Sequence, residues 1–236
     1  PPRVDGVSGP GTLQARTSGG DAVYITGDYF GFAASAIRVF YGPGARKYVA
    51  VGCEASKHTF MRCVTAPGTG KNHSWQILVA GQLSSVLHKG SSYAPPTIAR
   101  FLGPGARDAN TSGTDSVSII GANFGSGNAP VVATFGHAGE EYTAHGCNVT
   151  TENVQGFEEI RCEMPPGVGA DLKWTVYVDE QKSQTPTTNY KAPTITAVQK
   201  VGGGDLSTEG GEDVDITGTD FGPIDADVAV PFSREI

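Results

Sequence analysis

Four cysteines are the side chains whose type and spacing offer this chain the clearest chemistry. They form two pairs that enclose 9 and 14 residues. Zinc knuckles of the C-x2-C type are absent, and no histidine recurs at matching positions, which disfavours a metal site. The spacing therefore predicts two disulfides, Cys53–Cys63 and Cys147–Cys162, and with them an oxidising compartment.

Three Asn-x-Ser/Thr sequons point in the same direction as the paired cysteines. They begin at Asn72, Asn110 and Asn148, in segments that are predicted to be loops or strand ends, where a bulky glycan fits. We expect at least one of them to be glycosylated in the native source. Sequons and disulfides together predict an extracellular or cell-surface protein that has passed through the secretory pathway.

The remaining reactive side chains form no catalytic pattern. The chain has no G-x-S-x-G, no H-E-x-x-H and no Walker loop, and residues 68–71 (G-T-G-K) resemble one only superficially. The histidines share no motif and are predicted to lie in solvated loops; they are His58, His73, His88, His137 and His145. We expect no catalysis, no cofactor and no metal site.

The formal net charge of −7 is concentrated at one end of the chain. Residues 193–236 carry nine acidic and two basic residues, while residues 1–192 carry 15 of each. No basic stripe is present, so nucleic-acid binding is not predicted. The acidic segment is interpreted as a solvated surface or a patch for a basic partner. Calcium binding stays an alternative, disfavoured because two pairs of aspartates (213 and 215, 225 and 227) are predicted on strands of opposite sheets.

An internal repeat positions all of these residues. The segment 25–31 (I-T-G-D-Y-F-G) returns as 119–125 (I-I-G-A-N-F-G) at an offset of 94, and again as 216–222 (I-T-G-T-D-F-G). The period is that of one small domain. It predicts two complete units, residues 1–94 and 95–191, and an incomplete third unit, residues 192–236.

Apolar residues alternate with polar ones where the units overlay. Val23 and Ile25 correspond to Val117 and Ile119, which is typical of strands with one buried face. The same period predicts a third-unit strand through Val228, Val230 and Phe232, and it places both tryptophans in the core rather than on a ligand platform. About seven short strands per unit indicate an all-β, immunoglobulin-like antiparallel sandwich. No apolar run is long enough to insert this segment into a membrane.

Several short motifs recur with the repeat. They are the Val-x-Ile-x-Gly-x-x-Phe-Gly signature, a Ser/Thr-x-Gly-Gly run (residues 17–20 and 207–211), the cysteine pair followed by Pro-Gly, and a tyrosine that closes each unit before proline. As a set, these residues resemble the IPT/TIG family, the immunoglobulin-like domains of plexins, Met-type receptors and fibrocystin-like surface proteins. The resemblance implies a binding or spacer module and names no partner.

Three hypotheses for function follow. The main one is a segment of a longer extracellular protein with an adhesive or receptor role, acting through a protein partner or self-association. The alternatives are a stalk or filament without a dedicated ligand, and a carbohydrate-binding appendage of a secreted enzyme. An adhesion module should expose aromatic residues on one unit, and the candidates are Tyr29, Phe32 and Phe157.

Two further expectations concern the arrangement of the units. The linkers at residues 93–96 and 190–193 are short and contain proline, which predicts an extended and fairly stiff rod. The third unit has only half of the strands of a sandwich. We therefore expect it to lack a stable fold on its own unless another chain completes it.

Overall fold

The computed structural model describes residues 1–31, 37–127, 129–150, 154–184 and 186–232. Within these ranges it is a succession of short antiparallel strands. The first unit contains β1 (Arg3–Ser8), β2 (Ala22–Asp28), β3 (Ile37–Gly42), β4 (Tyr48–Val49), β5 (Val51–Lys57), β6 (Phe60–Val64), β7 (His73–Val79), β8 (Gln82–Leu83) and β9 (Leu87–Ser91). The second contains β10 (Thr97–Leu102), β11 (Ser116–Ala122), β12 (Val131–Gly136), β13 (Tyr142–Thr143), β14 (His145–Val149), β15 (Glu158–Glu163), β16 (Leu172–Val178), β17 (Gln181–Lys182) and β18 (Thr187–Thr188).

Each complete unit has two sheets with the same strand order. In the first unit these are β1-β2-β6-β5 and β4-β3-β7-β8, with β9 also on β7; in the second they are β10-β11-β15-β14 and β13-β12-β16-β17, with β18 on β16. The immunoglobulin-like sandwich predicted from the sequence is confirmed. Nine strands rather than about seven are present in each described unit, partly because one edge segment changes sheets at Ala50 and is divided into β4 and β5.

The two cores form where the sheets face each other. Trp75 and Trp174 are fully buried, as the alternation predicts. Their indole N–H groups donate to the hydroxyls of Ser91 and Thr188 at 2.9 and 2.6 Å. Burying the ring while pairing its one polar group gives a large apolar gain without an unsatisfied donor.

Glycine closes the second strand of every unit because no side chain fits there. A β-carbon on Gly27 or Gly121 would lie 1.9 Å from the carbonyl oxygen of Arg3 or Thr97. The glycine that follows the signature phenylalanine has a different reason: Gly125, for example, has φ +83°, which residues with a β-carbon rarely adopt. The repeated signature is thus a set of backbone requirements.

The cysteines are joined within each unit. The bonds are Cys53–Cys63 and Cys147–Cys162. They tie β5 to β6 and β14 to β15, so each links the edge strand of a sheet to its neighbour. No helix in the described part of the chain has the length and apolar character needed to cross a membrane.

The third unit corrects one sequence prediction. Its strands β19 (Thr194–Lys200) and β20 (Val214–Thr219) pair with each other, but residues 228–232 form no strand. Asp225 and Asp227 likewise lie outside any strand, in and just after a turn. In the complete units the equivalent strands, β3 and β12, are held between two neighbours of the same sheet. A strand without hydrogen-bonding neighbours has no means of satisfying its backbone groups in a sheet.

Candidate interaction surfaces

The outer face of one sheet in the first unit exposes apolar side chains. Phe40 lies opposite Val49, and Leu78 lies opposite Leu83. Val49 and Leu83 are 49% and 42% exposed, and the other two are half-buried. We call these four residues the apolar patch. Arg38 lies directly opposite Leu78, so the patch borders a cation.

The second unit has the same face with different chemistry. By register, Thr134 and Thr143 replace the phenylalanine and valine, while Tyr177 and Lys182 replace the two leucines. The sandwich therefore does not require apolar residues at these positions, because the same fold holds polar ones.

The sheet that carries the apolar patch contains no carboxylate. Residues 37–49 and 71–93, which hold β3, β4, β7, β8 and β9 and the segments between them, include five basic residues and no Asp or Glu. The basic residues are Arg38, Arg46, Lys47, Lys71 and Lys89. We call this the cationic sheet. The four acids of the first unit are Asp5, Asp21, Asp28 and Glu54, and they belong to the opposite sheet or its connections.

A second built surface lies between the first and second units. Asp179, in the turn between β16 and β17, accepts hydrogen bonds from the Lys47 ammonium at 2.7 Å and from the Thr69 hydroxyl at 3.1 Å. Although burial raises its pKa, the bond and charge of Lys47 hold the pKa of Asp179 below its usual range. Gln181 donates to the carbonyl oxygen of Tyr93 at 3.0 Å. We call this set of contacts the first junction.

His73 corrects the prediction that the histidines lie in solvated loops. It begins β7 and is 1% exposed. The rings of Tyr41, Tyr48 and Tyr93 surround it, with centroid distances of 6.0, 5.6 and 5.4 Å. Neither ring nitrogen has a hydrogen-bond partner among the described residues. Burial lowers the pKa of His73 to about 4, although the Asp179 carboxylate acts in the opposite direction.

The second junction, between the second and third units, repeats the geometry of the first with different residues. A β-carbon on Gly125 would meet the Thr69 side chain at 2.4 Å, and one on Gly222 would meet Val168 at 2.3 Å. Lys191 adds an ion pair with Asp220 at 3.0 Å. The chain thus makes the same end-to-end contact twice.

The first junction also holds a carboxylate that has no counterpart in the first unit. Glu158 accepts a hydrogen bond from the backbone N–H of Phe124, and Thr17 of the first unit bonds to the same carboxylate. Burial raises the pKa of Glu158 although both hydrogen bonds act to lower it.

The sites predicted from the sequence lie apart from one another. Asn72, Asn110 and Asn148 are all exposed, the first two in loops and the third on the edge strand β14. Tyr29 is 73% exposed and Phe157 is 36% exposed. The Phe157 ring lies beneath the Arg100 guanidinium at 5.3 Å. Phe32, the remaining candidate aromatic, falls outside the described residues.

Sequence reasoning overlooked both the cationic sheet and the first junction. Averaging the charge over residues 1–192 hid a net +5 in the first unit and a net −5 in residues 95–191. A charge count per sheet would have revealed the cationic sheet. Nothing in the sequence brings His73 and Asp179 together, because they belong to different units 106 positions apart.

Comparison with known proteins adds a match to one domain family and a general likeness to several solved structures. The IPT/TIG domain profile matches residues 2–94, and no curated protein matches the chain. Among solved structures, a surface glycan-binding protein from Prevotella bryantii shares 13% identity over 80% of this chain and 42% of its own, with a TM-score of 0.46. The extracellular region of plexin A4 shares 18% identity over 80% of this chain and 18% of its own, with a TM-score of 0.34.

A titin fragment, domains A168–A170, shares 11% identity over 93% of this chain and 74% of its own, with a TM-score of 0.27. The chain spans less than half the length of the glycan-binding protein. Likeness of this degree says nothing of function. The profile match identifies one domain: residues 2–94 form an IPT/TIG domain.

Proposed function

We propose that this chain is a non-catalytic adhesion or receptor segment of an extracellular or cell-surface protein. In this proposal the first unit binds a protein partner through its cationic sheet. The units are domains with boundaries 1–94, 95–191 and 192–236, and the exposed sequons carry glycans. The observation that carries the proposal is the apolar patch, which the second unit replaces with threonine, tyrosine and lysine.

The chemistry of the surface indicates the partner. Apolar side chains at the centre of an interface lose water on binding, and basic residues around them attract an opposite charge. The cationic sheet has five basic residues and no acid of its own. Lys47 is engaged by Asp179 of the second unit, so the attraction for a partner comes from the other four. It fits an acidic protein surface that presents apolar side chains.

The test is a binding comparison with residues borrowed from the second unit. Fluorescent tetramers of the chain are applied to cells of the source organism, before and after treatment with protease or glycosidases. The variant combines Phe40→Thr, Val49→Thr and Leu83→Lys, all of which the same fold accepts in the second unit. We expect binding to weaken at least about tenfold, because central apolar contacts dominate interface energies.

The controls separate the competing functions. Val132→Arg changes the equivalent face of the second unit and should leave binding unchanged. Loss of binding after protease treatment supports the proposal. Loss only after glycosidase treatment supports the carbohydrate-binding alternative instead. Unaltered binding by the triple variant, or no binding to any cell, would refute a role for the apolar patch.

The stalk or filament alternative has one observation in its favour. The end-to-end contact of Gly125 with Thr69 recurs as Gly222 with Val168, and a repeated contact builds a regular array. Solution scattering decides between the arrangements, since stacked units give an elongated particle. A globular profile would exclude the stalk.

A further inference from the structure

We propose that protonation of His73 opens the first junction, so that the arrangement of the first two units responds to mild acid. The proposal concerns the contact between units and does not depend on the partner of the cationic sheet. It rests on the position of a buried imidazole whose Nε2 edge lies near the turn of the neighbouring unit that carries Asp179.

The geometry places the edge of the ring at the junction. Glycine has no β-carbon, but the point where one would lie on Gly70 marks the space between the two units. This point is 3.0 Å from His73 Nε2 and 2.8 Å from Asp179 Oδ2. The turn of the second unit therefore covers the Nε2 edge of the ring. If the second unit moves away, this edge gains access to water.

Besides Asp179, the acceptor near the ring is the backbone carbonyl of Thr69, which acts to raise the pKa of the imidazole but already receives the Tyr48 hydroxyl. Three tyrosines face the ring: Tyr41 from β3, Tyr48 from β4 and Tyr93 from the closing segment. The Tyr48 hydroxyl donates to the carbonyl oxygen of Thr69, and the hydroxyls of Tyr41 and Tyr93 are paired with each other. A charged imidazole has two N–H donors, and burying them without acceptors is costly.

The nearest charges at the ring are already engaged with one another. The Asp179 carboxylate accepts hydrogen bonds from Lys47 and Thr69. The Lys47 ammonium repels a second cation beside it. Protonation therefore places an imidazolium next to a carboxylate whose charge another cation already balances.

The direction of the pH effect follows from linkage. An exposed histidine has a pKa near 6.5, whereas that of His73 in the closed junction is about 4. The open state therefore binds more protons at every pH below about 6.5, so acidification favours opening. A rise of about 30-fold in the ratio of open to closed molecules at pH 5 is the upper bound, because the three tyrosines of the first unit still cover part of the ring after opening.

Two carboxyl groups at the junction also titrate, with opposite effects. Burial raises the pKa of Glu158, so its protonation favours the closed state. The pKa of Asp179 is lowered, so its protonation favours opening, at pH values below the range in which His73 acts. A histidine variant separates these contributions because it leaves both carboxyls in place.

The second unit supplies that variant. Leu172 occupies the position of His73, while Glu141 and Val168 occupy those of Lys47 and Thr69. Leu172 is fully buried. Since the same fold accommodates leucine here, His73→Leu should preserve the first unit while removing the titrating group.

The experiment measures the distance between the units in the full chain. Spin labels are attached to non-canonical amino acids at Arg62 and Lys173, both exposed, and pulsed dipolar spectra are recorded at pH 7.5 and pH 5.0. We expect the wild-type distance distribution to shift or broaden at pH 5.0 and that of His73→Leu to stay unchanged. Equal distributions at both pH values in wild type, or the same change in the variant, would overturn the proposal.

A second measurement keeps the proposal testable if the variant fails to fold. The carbon resonances of labelled His73 are followed against pH, together with the amides of β7. The proposal requires that the His73 carbon resonances titrate below pH 6.5 while the amide resonances of β7 stay dispersed. Collapse of those amides with the histidine transition would mean that the first unit unfolds, and the proposal would be wrong.

Discussion

The two complete units share a scaffold and differ in what they present at their ends and outer faces. Tyr41 stacks on Trp75 with ring centroids 4.4 Å apart, and Phe135 stacks on Trp174 at 4.3 Å. Each pair lies directly across two neighbouring strands of one sheet, so the same cross-strand stacking is kept although one residue of the pair differs. At the first junction, by contrast, a lysine and a histidine correspond to glutamate and leucine in the second unit.

Within the cores, one change is compensated by a second change nearby. The Tyr41 hydroxyl accepts a hydrogen bond from the Ala66 N–H at 2.8 Å and contacts the Tyr93 hydroxyl at 2.6 Å. In the second unit, Phe135 replaces this tyrosine and Pro165 replaces the alanine. Proline has no N–H to satisfy, so the hydroxyl is not needed.

The largest effect expected in this comparison is at the glycines that close the second strands. Gly27→Ala and Gly121→Ala should each destabilise their own unit by roughly 3 kcal/mol or more, because the β-carbon meets backbone rather than a side chain that can move. Hydrogen exchange of β2 and β11 measures the loss in each unit. Tolerance of alanine in only one of them would show that the two scaffolds are not equivalent.

Gly146→Ala provides a matched control for these substitutions. This residue has φ +59° but nothing within 4 Å of a β-carbon. It should cost only the backbone strain, about 1–2 kcal/mol. An equal loss at both kinds of glycine would mean that the close carbonyl at Gly27 and Gly121 costs no more than a left-handed backbone does at Gly146.

The disulfides give the next largest effect and distinguish the units by loop length. The bonds close loops with sequence separations of 10 and 15 residues. In the chain-entropy model, replacing a pair by alanine should cost about 2.7 kcal/mol in the first unit and about 3.0 kcal/mol in the second. Urea unfolding of each double variant measures this. A larger loss in the first unit would contradict the entropic account.

The sequence was sufficient to predict the features that repeat. Alternating residues such as Val23 and Ile25 identified the core, and the signature glycines marked where a side chain is excluded. These features depend on contacts within one unit, and each of them occurs at least twice in the chain. Equivalent positions in the different units therefore supported one another's interpretation.

The sequence was insufficient for features that depend on two units meeting. His73 has a polar residue before it and a turn nearby, which is typical of a loop. Its burial comes from three tyrosines of its own unit and from the Asp179 turn of the next. Likewise, residues 228–232 alternate like a strand but have no neighbouring strands to pair with. A local sequence pattern indicates which structure a segment favours, and contacts with neighbouring strands and units determine whether that structure forms.

Removing one hydroxyl from the first core should have a moderate effect. Tyr41→Phe leaves the Ala66 N–H without its partner and should destabilise the first unit by about 1–2 kcal/mol. The double variant Tyr41→Phe with Ala66→Pro recreates the arrangement of the second unit and should recover part of this loss. Chemical denaturation of all four proteins gives the coupling energy. Strict additivity would show that the two differences between the units are unrelated.

The smallest effect expected is that of the ion pair at the first junction. Lys47 and Asp179 side chains are 39% and 23% exposed, so water and salt screen their attraction, and a double-mutant cycle should give about 0.2–1 kcal/mol. Because the pKa of Asp179 is held low, this contribution is present above the ordinary aspartate pKa and is lost as the pH falls through the lower value.

The cycle uses Lys47→Ala and Asp179→Ala in the full chain. The readout is the free energy of opening the first junction, calculated from the open and closed fractions in the distance distribution at pH 7.5. Lys191 and Asp220 offer the matched pair at the second junction, where the aspartate side chain is only 8% exposed. We expect the Lys47–Asp179 coupling to decrease when salt is raised from 0.05 to 0.5 M, and the Lys191–Asp220 coupling to decrease as well, because Lys191 is 55% exposed. A coupling above about 2 kcal/mol, or one that salt does not change, would mean that the first junction is much drier than its exposure indicates. The ion pair, rather than His73, would then dominate the contact between the first two units.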